Sequence, residues 1–571
     1  MILIPDDGGG IHSGDGVRRC CHPILAAYVG DYPEQCLVTT CYYGDCPCCE
    51  TEKEDLGLFP TDECLAANIK PIQHPHGLDK DLPYMDIFCS ITPDILHQMY
   101  QGVMKHLISW LTSICGANEM DACVHRLPPN HNIWIFHKGI SLLSCVSGAK
   151  HKQMCLFILG TVVNVPGLTA PQSNALITAT RALLDFLYLA CFPIHSSSSL
   201  IALDESLADF HAKKDIFITL NVRKHFNFPK LHFLSHYSRA IKYFGTTDNY
   251  NTKTTERLHI DFTKDAYQAS NHKDEYTQMT RWLEQCEKII QHTSYISWRL
   301  GDLDGPFVPS MSILPTCHTL TGAQRTSTDM KCAFIPKITT HPTLKSVTLS
   351  KLEDKGVKGY GAVNFTRALK QFVVQFRNPH LQSNIIDEYA HFIVLPFRTL
   401  PIWHQVKFTN MDLFGKKTLD SVSAHPRHFN SHGQVTQLLQ FDTALISLKS
   451  GTEDHTIQVF SLPEDELDTS FPANCHPPKH LAYVEWFSKF PRSHKPHSRL
   501  YQVKKEINGD GTVAASVIPV EVIIRSVHLL PKWGGTVPSE WTGETVLDLS
   551  PSFLLNIFKD DHSYYSLTQL Q

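Results

Sequence analysis

The 571-residue sequence lacks the features of several specialised classes of protein. No stretch approaches about eighteen consecutive apolar residues, which excludes a helix that crosses a membrane. Charged residues make up only 19% of the chain and apolar residues 42%, so a disordered acidic tail is excluded as well. Lys and Arg number 51 against 56 Asp and Glu, so binding of nucleic acid must rest on local patches. We expect a water-soluble globular chain with more than one core.

The chain also lacks the marks of a secreted protein. Its start, MILIPDDGGG, has neither the charged nor the apolar region of a signal peptide, and 18 cysteines are too sparse for a disulfide scaffold. A reducing compartment is therefore expected. Half of the cysteines lie at positions 20, 21, 36, 41, 46, 48, 49, 64 and 89. Such clustering in a reduced protein favours metal binding over disulfide bridges.

The hydrophobic patterns predict an α/β region, then a helical region, then a β-rich region. Pro23–Val29 has the length of a buried strand, and Thr92-Pro93-Asp94 supplies a helix start with Thr92 as the predicted N-cap. Period-two patterns typical of strands begin after Phe397, and the Gly-rich turn after Lys505 predicts a hairpin. The helices predicted beyond that first one cover residues 174–191, 198–213, 229–244, 254–269, 273–298 and 364–376.

A C-x-x-C in the first hundred residues is the candidate for a zinc site. The thiolates of Cys46 and Cys49 can hold one tetrahedral zinc ion, and no second pair of ligands follows at zinc-finger spacing. His97 is the candidate for a distant third ligand, with Cys41 or Cys89 as alternatives for the fourth. Two alternatives to a zinc site stay open, namely two buried free cysteines or a redox or hydrolytic centre, although no thioredoxin-like pattern surrounds the pair.

Two acidic residues are candidates for binding a catalytic cation. Asp31 follows the apolar run directly, where a carboxylate at the end of a strand can bind a divalent metal. An acid at such a position is also typical of a turn or a helix N-cap. Glu256 lies in the first turn of a predicted helix, with His259 one turn on. The alternative for Glu256 is an acid that complements the helix dipole.

A basic segment near the C-terminus is the candidate for local binding of nucleic acid. Its cations can follow a phosphate backbone, and the neighbouring Phe487, Phe490 and Tyr501 can stack on bases. The alternative is a solvated basic loop between strands. The cations are Lys489, Arg492, Lys495, Arg499, Lys504 and Lys505.

Four phrases of the chain carry a family resemblance. Residues 23–38 read PILAAYVGDYPEQCLV and residues 86–111 read DIFCSITPDILHQMYQGVMKHLISWL. Residues 209–223 read DFHAKKDIFITLNVR, and residues 244–284 include NYNTKTTERLHIDFTKDAYQ. In this order they resemble the Plavaka-type transposases of basidiomycete fungi, which belong to the Kyakuja, Dileera and Zisupton group and look related to CACTA-type transposases.

The resemblance implies a ribonuclease H-like core interrupted by a large helical insertion. It implies an Asp, Asp, Glu triad that holds Mg²⁺ for phosphoryl transfer, in which Asp31 matches the second Asp and Glu256 the Glu. It also implies a zinc motif, matched by Cys46, Cys49 and the Leu96-His97 pair. The implied units are a partial core over 1–115, the insertion over 116–245, core helices over 246–300, a linker with a helix over 301–395 and a β-rich domain over 396–571.

The implied partner is DNA, namely the terminal repeats of a transposon, and the implied location is the nucleus. No membrane partner is expected, and whether the chain forms a homo-oligomer stays open. One departure from the family matters for activity. The family's first Asp lies well upstream of the PILAAY strand, whereas only 22 residues precede Pro23 here, and Asp6, Asp7 and Asp15 lie in a Gly-rich loop.

The sequence therefore predicts a truncated transposase that is catalytically defective, because a triad loses nearly all activity when one member is absent. The alternative function is that of a DNA-binding or protein-interaction protein derived from the element, without catalysis.

Overall fold

The computed structural model describes residues 10–12, 18–20, 26–59, 87–300, 335–411, 417–448, 451–460, 476–533 and 535–568. Helices dominate up to Arg299 and small antiparallel sheets dominate after Ile335, which confirms the mixed content that the patterns predict. The ribonuclease H-like core stays a prediction. Of the strand predicted at Pro23–Val29, the described part forms a single parallel bridge between Tyr28 and Ile91.

The helices vary from one turn to twenty-five residues. The α-helices are Tyr32–Thr39, Ile87–Ser90, Lys105–Cys115, Ala117–His125, Gly148–Cys155, Ile158–Thr161, Ala170–Ala190, Ser197–Lys213, Ile216–Thr219, Pro229–His232, Tyr237–Phe244, Thr252–His259, Asp265–Gln268, Glu275–Arg299, Leu349–Glu353, Phe365–Arg377, Ser383–Phe392, Val546–Leu549 and Asp561–Thr568. Ile95–Met104 and Ile260–Lys264 are π-helical, and Phe233–His236, Thr247–Asn249, Val520–Val522 and Ile557–Lys559 are 3₁₀ turns.

The named strands pair antiparallel in five sheets. The largest has the order Ala515–Pro519, Leu481–Trp486, Gly451–Phe460, Thr443–Leu448 and Ile523–Val527, with Thr399–Trp403 and Leu344–Thr348 attached at its side. A second has the order Gln440–Phe441, Lys417–His425, Gln405–Met411 and Ile335–Lys337. The smaller sheets are Gln502–Val503, Phe553–Leu555 and Leu529–Pro531; His428–Phe429 with Val435–Gln437; and Gly10–His12 with Arg18–Cys20.

Two local predictions need correction. The helix predicted to start from Thr92 has Asp94 as its N-cap, because the Asp94 carboxylate accepts from the amides of Leu96 and His97. The hairpin predicted after Lys505 forms only at its tip, where Ile507 bridges Val513. Its two arms diverge, since Gln502–Val503 pairs with Phe553–Leu555 and Ala515–Pro519 pairs with Leu481–Trp486.

The helix Ala170–Ala190 lies in the largest core. Nearly all of its side chains from Leu176 onward are buried, as expected for a helix that is apolar on every side. The surrounding apolar cluster joins helical residues between Met99 and Ile241 to residues between Phe487 and Leu567. The C-terminal strands therefore complete the core of the helical region.

Candidate metal centre and acidic site

A loop and a distant helical turn bring two cysteines and two histidines together. Cys46, Cys49, His232 and His236 are all buried, and their ligand atoms lie within 4.8 Å of one another. Cys46 Sγ is 3.3 Å from His236 Nε2, and Cys49 Sγ is 3.1 Å from His232 Nε2. Each cysteine of the C-x-x-C thus faces one histidine.

Local sequence explains this arrangement. Pro229 occupies the first turn of the helix Pro229–His232, and the 3₁₀ turn that continues it places His236 four residues after His232. The two imidazole rings lie 5.3 Å apart, and each has its Nε2 next to a cysteine sulfur. Cys49 Sγ also lies 3.2 Å from Thr51 Oγ1, and Leu56, Ile91 and Phe233 enclose the group in an apolar shell.

The donor set fits a tetrahedral zinc ion. Zn–S bonds of about 2.3 Å and Zn–N bonds of about 2.0 Å imply sulfur to nitrogen separations of roughly 3.6 Å, a few tenths of an ångström longer than those observed. Burial lowers the pKa of His236 well below its usual range, so the imidazole is neutral, as a ligand must be. Burial raises the pKa of the Cys46 thiol, and a bound cation would stabilise its thiolate. Four protein ligands leave no open position, which is typical of a structural site.

The prediction of His97 as the third zinc ligand needs correction, because the structure places that residue in a different cluster. The alternatives for the fourth ligand also lie elsewhere. Cys41 interacts with Cys36, and the exposed Cys89 contacts the guanidinium of Arg239 at 3.4 Å. The signal for the correct pair was present in the sequence, since His232 and His236 have the H-x₃-H spacing of zinc fingers.

The backbone around Asp31 is tied to the segment that precedes His97. Tyr28 N donates to Ser90 O at 2.7 Å and Thr92 N donates to Tyr28 O at 3.2 Å. The buried Gln35 amide donates to both Gly30 O and Thr92 O at 2.9 Å. Asp31 itself caps the helix Tyr32–Thr39, since its Oδ1 accepts from Glu34 N at 2.9 Å. The alternative role as an N-cap is therefore realised, without excluding a ligand role for the other oxygen.

Asp94 connects this segment to the helix that carries Glu256. Its buried carboxylate accepts from Thr252 N at 3.0 Å and from Thr252 Oγ1 at 2.8 Å, in addition to the amides of Leu96 and His97. Burial opposes ionisation, but the hydrogen bonds from His97 and Thr252 prevail and lower the pKa of Asp94. An ionised carboxylate thus joins the starts of two helices.

His97 contacts two carboxylates. Its Nδ1 is 2.7 Å from Asp94 Oδ2, and its Nε2 is 2.9 Å from Glu256 Oε1. The hydrogen bond to Asp94 raises the pKa of His97 against the effect of burial, and the charges of Asp94, Glu256 and Asp31 add to the rise. Asp31 and Glu256, far apart in sequence, therefore act on the same imidazole.

The two acids differ from Asp94 in their access to solvent. Glu256 keeps half of its side chain exposed and Asp31 is half-buried, whereas Asp94 is 1% exposed and its carboxylate is fully used in hydrogen bonds. Exposed carboxylate oxygens are the ligands that Mg²⁺ prefers. Asp31 and Glu256 therefore keep access to solvent, while Asp94 and His97 fix the start of the helix that carries Glu256.

The structure divides the predicted basic segment in two. Lys489, Arg492, Lys495 and Lys504 are exposed. Arg499 instead pairs with Asp209 at 3.3 Å, and Lys505 pairs with Glu485 at 3.3 Å and Asp548 at 2.5 Å. The stacking role predicted for aromatic residues needs correction for Phe487 and Tyr501, because both rings are buried in the core.

These features define a chain with a buried Cys₂His₂ cluster, which can hold a metal ion such as zinc, close to a partly exposed acidic site. The Plavaka transposase family model matches residues 5–64 and 58–111. This match confirms the resemblance of the chain to a Plavaka-type transposase. No curated protein and no solved structure matches the chain. Among the described residues, no helix combines the length and apolar character that a membrane crossing requires.

Proposed function

We propose that the chain is a transposase-derived protein that acts in the nucleus on the DNA ends of a cut-and-paste element, with Asp31 and Glu256 as ligands of a divalent cation. The observation that carries the proposal is the placement of Glu256 against His97, with its Oε1 2.9 Å from Nε2, and of Asp31 near enough for its charge to raise the pKa of the same imidazole. Three sets of hydrogen bonds produce that placement, from Gln35 to Thr92 O, from Thr252 to Asp94 and from His97 to Asp94. The family match supports DNA as the substrate.

A bound Mg²⁺ would activate the attacking oxygen or stabilise the leaving oxygen of the phosphodiester. The residues of this chain hold the site in shape. Asp94 fixes the first turn of the helix Thr252–His259 through Thr252, so that Glu256 points toward His97. His97 occupies one oxygen of Glu256 and leaves the other free. Within a ribonuclease H-like core, Asp31 and Glu256 are the second and third acids.

Zinc has a structural role in this proposal. The Cys₂His₂ cluster connects the loop that follows Asp31 to the helical turn Phe233–His236, which leads toward the helix of Glu256. Its shell includes Ile91, which also bridges Tyr28. Loss of zinc would therefore loosen the backbone on which Asp31 lies.

The second candidate function is DNA binding without cleavage. The observation that favours it is that the acidic groups already have partners. Glu256 is paired with His97, and both carboxylate oxygens of Asp94 accept hydrogen bonds, so neither is available to a metal. With only these two acids available among the residues that the structure describes at this site, it would bind a cation but support little phosphoryl transfer. The exposed Lys489, Arg492, Lys495 and Lys504 would supply the contacts with phosphate.

A strand-cleavage assay tests the proposal. Labelled duplexes that carry the terminal repeats of the element are incubated with the zinc-loaded chain, with and without Mg²⁺. Because the sequence predicts a defective triad, the proposal predicts only weak Mg²⁺-dependent nicking, which Asp31→Asn and Glu256→Gln should each abolish. Glu284→Gln, which changes an exposed acid on the helix Glu275–Arg299, is the matched control and should keep full activity.

Salt-dependent binding of the repeats without cleavage would establish the second candidate in place of the first. Absence of both binding and cleavage would refute an action on DNA altogether.

A further inference from the structure

A cavity of about 900 Å³ opens in the C-terminal half of the chain, away from the acidic site. Its walls come from the glycine-rich loop at 355–364, the hairpin tip at 507–513, the segment 543–551 and side chains of the largest sheet. A volume of this size lies at the upper end of the range for ligand pockets.

Most of the charged groups in its walls neutralise one another. Arg427 donates from Nε to both carboxylate oxygens of Glu544 at 3.0 Å, and Lys505 pairs with Glu485 and Asp548. Lys355 and Lys504 also line the cavity, are exposed and form no ion pair with a described residue. The charge that the cavity offers to a ligand is therefore positive.

Part of the exposed edge of the cavity is apolar, and this part is called the apolar rim. Val357, Val363, Ile507 and Leu549 line it and are between 43% and 59% exposed, and the half-buried Phe441 lies in the wall. Large apolar side chains that gather at one opening and remain exposed are typical of a binding surface.

A basic groove shares one lining residue with the cavity. Lys504 lines both, and the groove adds Lys489, His494 and Lys495 with no acidic residue among its lining. This concentration of positive charge stands out on a chain with a net charge of −5. The surface thus combines the cations of the groove with the apolar rim of the cavity. Such a surface is complementary to a polymer with an anionic backbone and flat apolar groups.

We propose that the groove and the cavity bind an unpaired stretch of DNA. Its phosphates contact Lys489, Lys495 and Lys504, and at least one base enters the cavity beside Phe441 and the apolar rim. A base within a duplex stays stacked and cannot enter, whereas an unpaired base can lie between apolar side chains. This inference rests on the proposed action on DNA, and it assigns to the C-terminal half the recognition of single-stranded DNA.

The test compares two labelled single strands by fluorescence anisotropy in buffer without added Mg²⁺. One strand is a run of thymidines, and the other has the same number of phosphates but abasic sites in place of the bases. We expect the thymidine strand to bind about tenfold more tightly, the effect of stacking about one base. The double variant Val363→Gln, Leu549→Gln should lower the affinity for the thymidine strand to that for the abasic strand. The double variant Lys489→Ala, Lys504→Ala should lower the affinity for both strands.

Two exposed residues outside the cavity and the groove provide matched controls. Val394→Gln changes an apolar side chain that is 87% exposed, and Lys138→Ala removes an exposed cation; neither should alter binding. Equal affinity for the two strands, or equal weakening of both by the rim variants, would overturn the inference. Tight binding of a leucine and glutamate peptide that displaces the DNA would overturn it in favour of a protein partner.

The failure of this inference can be told from the failure of the proposed function. Base-dependent binding that persists while the terminal repeats are not cleaved would support the cavity and refute only the catalytic proposal. Cleavage that persists without base-dependent binding would support the catalytic proposal and refute only the binding of a base in the cavity.

Discussion

At the scale of single residues, the histidines that face the cysteines differ from the one that the sequence predicts. The sequence, supported by the family resemblance, predicts His97 as a zinc ligand, whereas His232 and His236 face the cysteines. His97 is held by Asp94 and Glu256 instead. A sequence shows which residues have ligand chemistry, but the choice among 33 histidines depends on which helical turn folds against the C-x-x-C.

The metal site gives the first prediction. His236→Ala should remove bound zinc, because it deletes one of four ligands in a closed site whose binding free energy is on the order of 10 kcal/mol. His97→Asn should leave the zinc content unchanged. Elemental analysis of the purified variants, with thermal melts before and after a chelator, makes the comparison. Zinc lost from His97→Asn and retained by His236→Ala would reverse the assignment.

A buried histidine gives the second prediction. Burial lowers the pKa of His404 to about 4, and its Nε2 lies 2.8 Å from the Tyr360 hydroxyl. Because the folded chain resists protonation that the unfolded chain accepts near pH 6.5, stability should fall as the pH drops from 6.5 toward 4. Replacing His404 by Gln should make the melting temperature depend less on pH across this window. An unchanged dependence would mean that other groups govern the acid response.

At the scale of elements, the helices were the part of the fold most open to prediction. The patterns placed helices over 198–213 and 364–376 within one residue of the observed Ser197–Lys213 and Phe365–Arg377. The sequence patterns locate the strands but do not predict which strands pair. The period of two shows that a segment is a strand, yet the partner of Ala515–Pro519 is Leu481–Trp486 and not the neighbour along the chain.

The junction of two helices gives the third prediction. Asp94 accepts two hydrogen bonds from Thr252, so the variants Asp94→Ala and Thr252→Val should not act independently. A double-mutant cycle should show a coupling free energy on the order of 1 kcal/mol. Hydrogen exchange of the helix Thr252–His259 reports the opening free energy for each variant. Additive effects would show that the two residues stabilise their helices separately.

At the scale of the whole molecule, the C-terminal strands and the helical region share one core. An ion pair inside the helix Ala170–Ala190 illustrates the contact between the two regions. Arg181 and Asp185 lie 2.7 Å apart and both bind C-terminal residues. Arg181 donates to Ser498 O at 2.5 Å, and the Tyr564 hydroxyl donates to Asp185 at 3.0 Å. The sequence pattern that predicts a β-rich unit over 396–571 does not predict this packing. Contacts between segments far apart in the chain produce no local hydrophobic pattern.

This shared core gives the fourth prediction. A chain that ends at residue 480 would leave the apolar surface of the helical region uncovered, so we expect it to aggregate or to be degraded during expression. Size-exclusion chromatography and limited proteolysis against the full chain are the measurements. A soluble, protease-resistant product would show that the helical region folds on its own.

We propose above that Asp31 and Glu256 bind one divalent cation together. Electron paramagnetic resonance of Mn²⁺ titrated into the zinc-loaded chain tests it most directly, because it needs neither a known DNA sequence nor turnover. We expect a bound Mn²⁺ signal that Asp31→Asn and Glu256→Gln each abolish and that Glu284→Gln preserves. A bound Mn²⁺ signal that persists in both Asp31→Asn and Glu256→Gln would show that these two residues do not bind the cation.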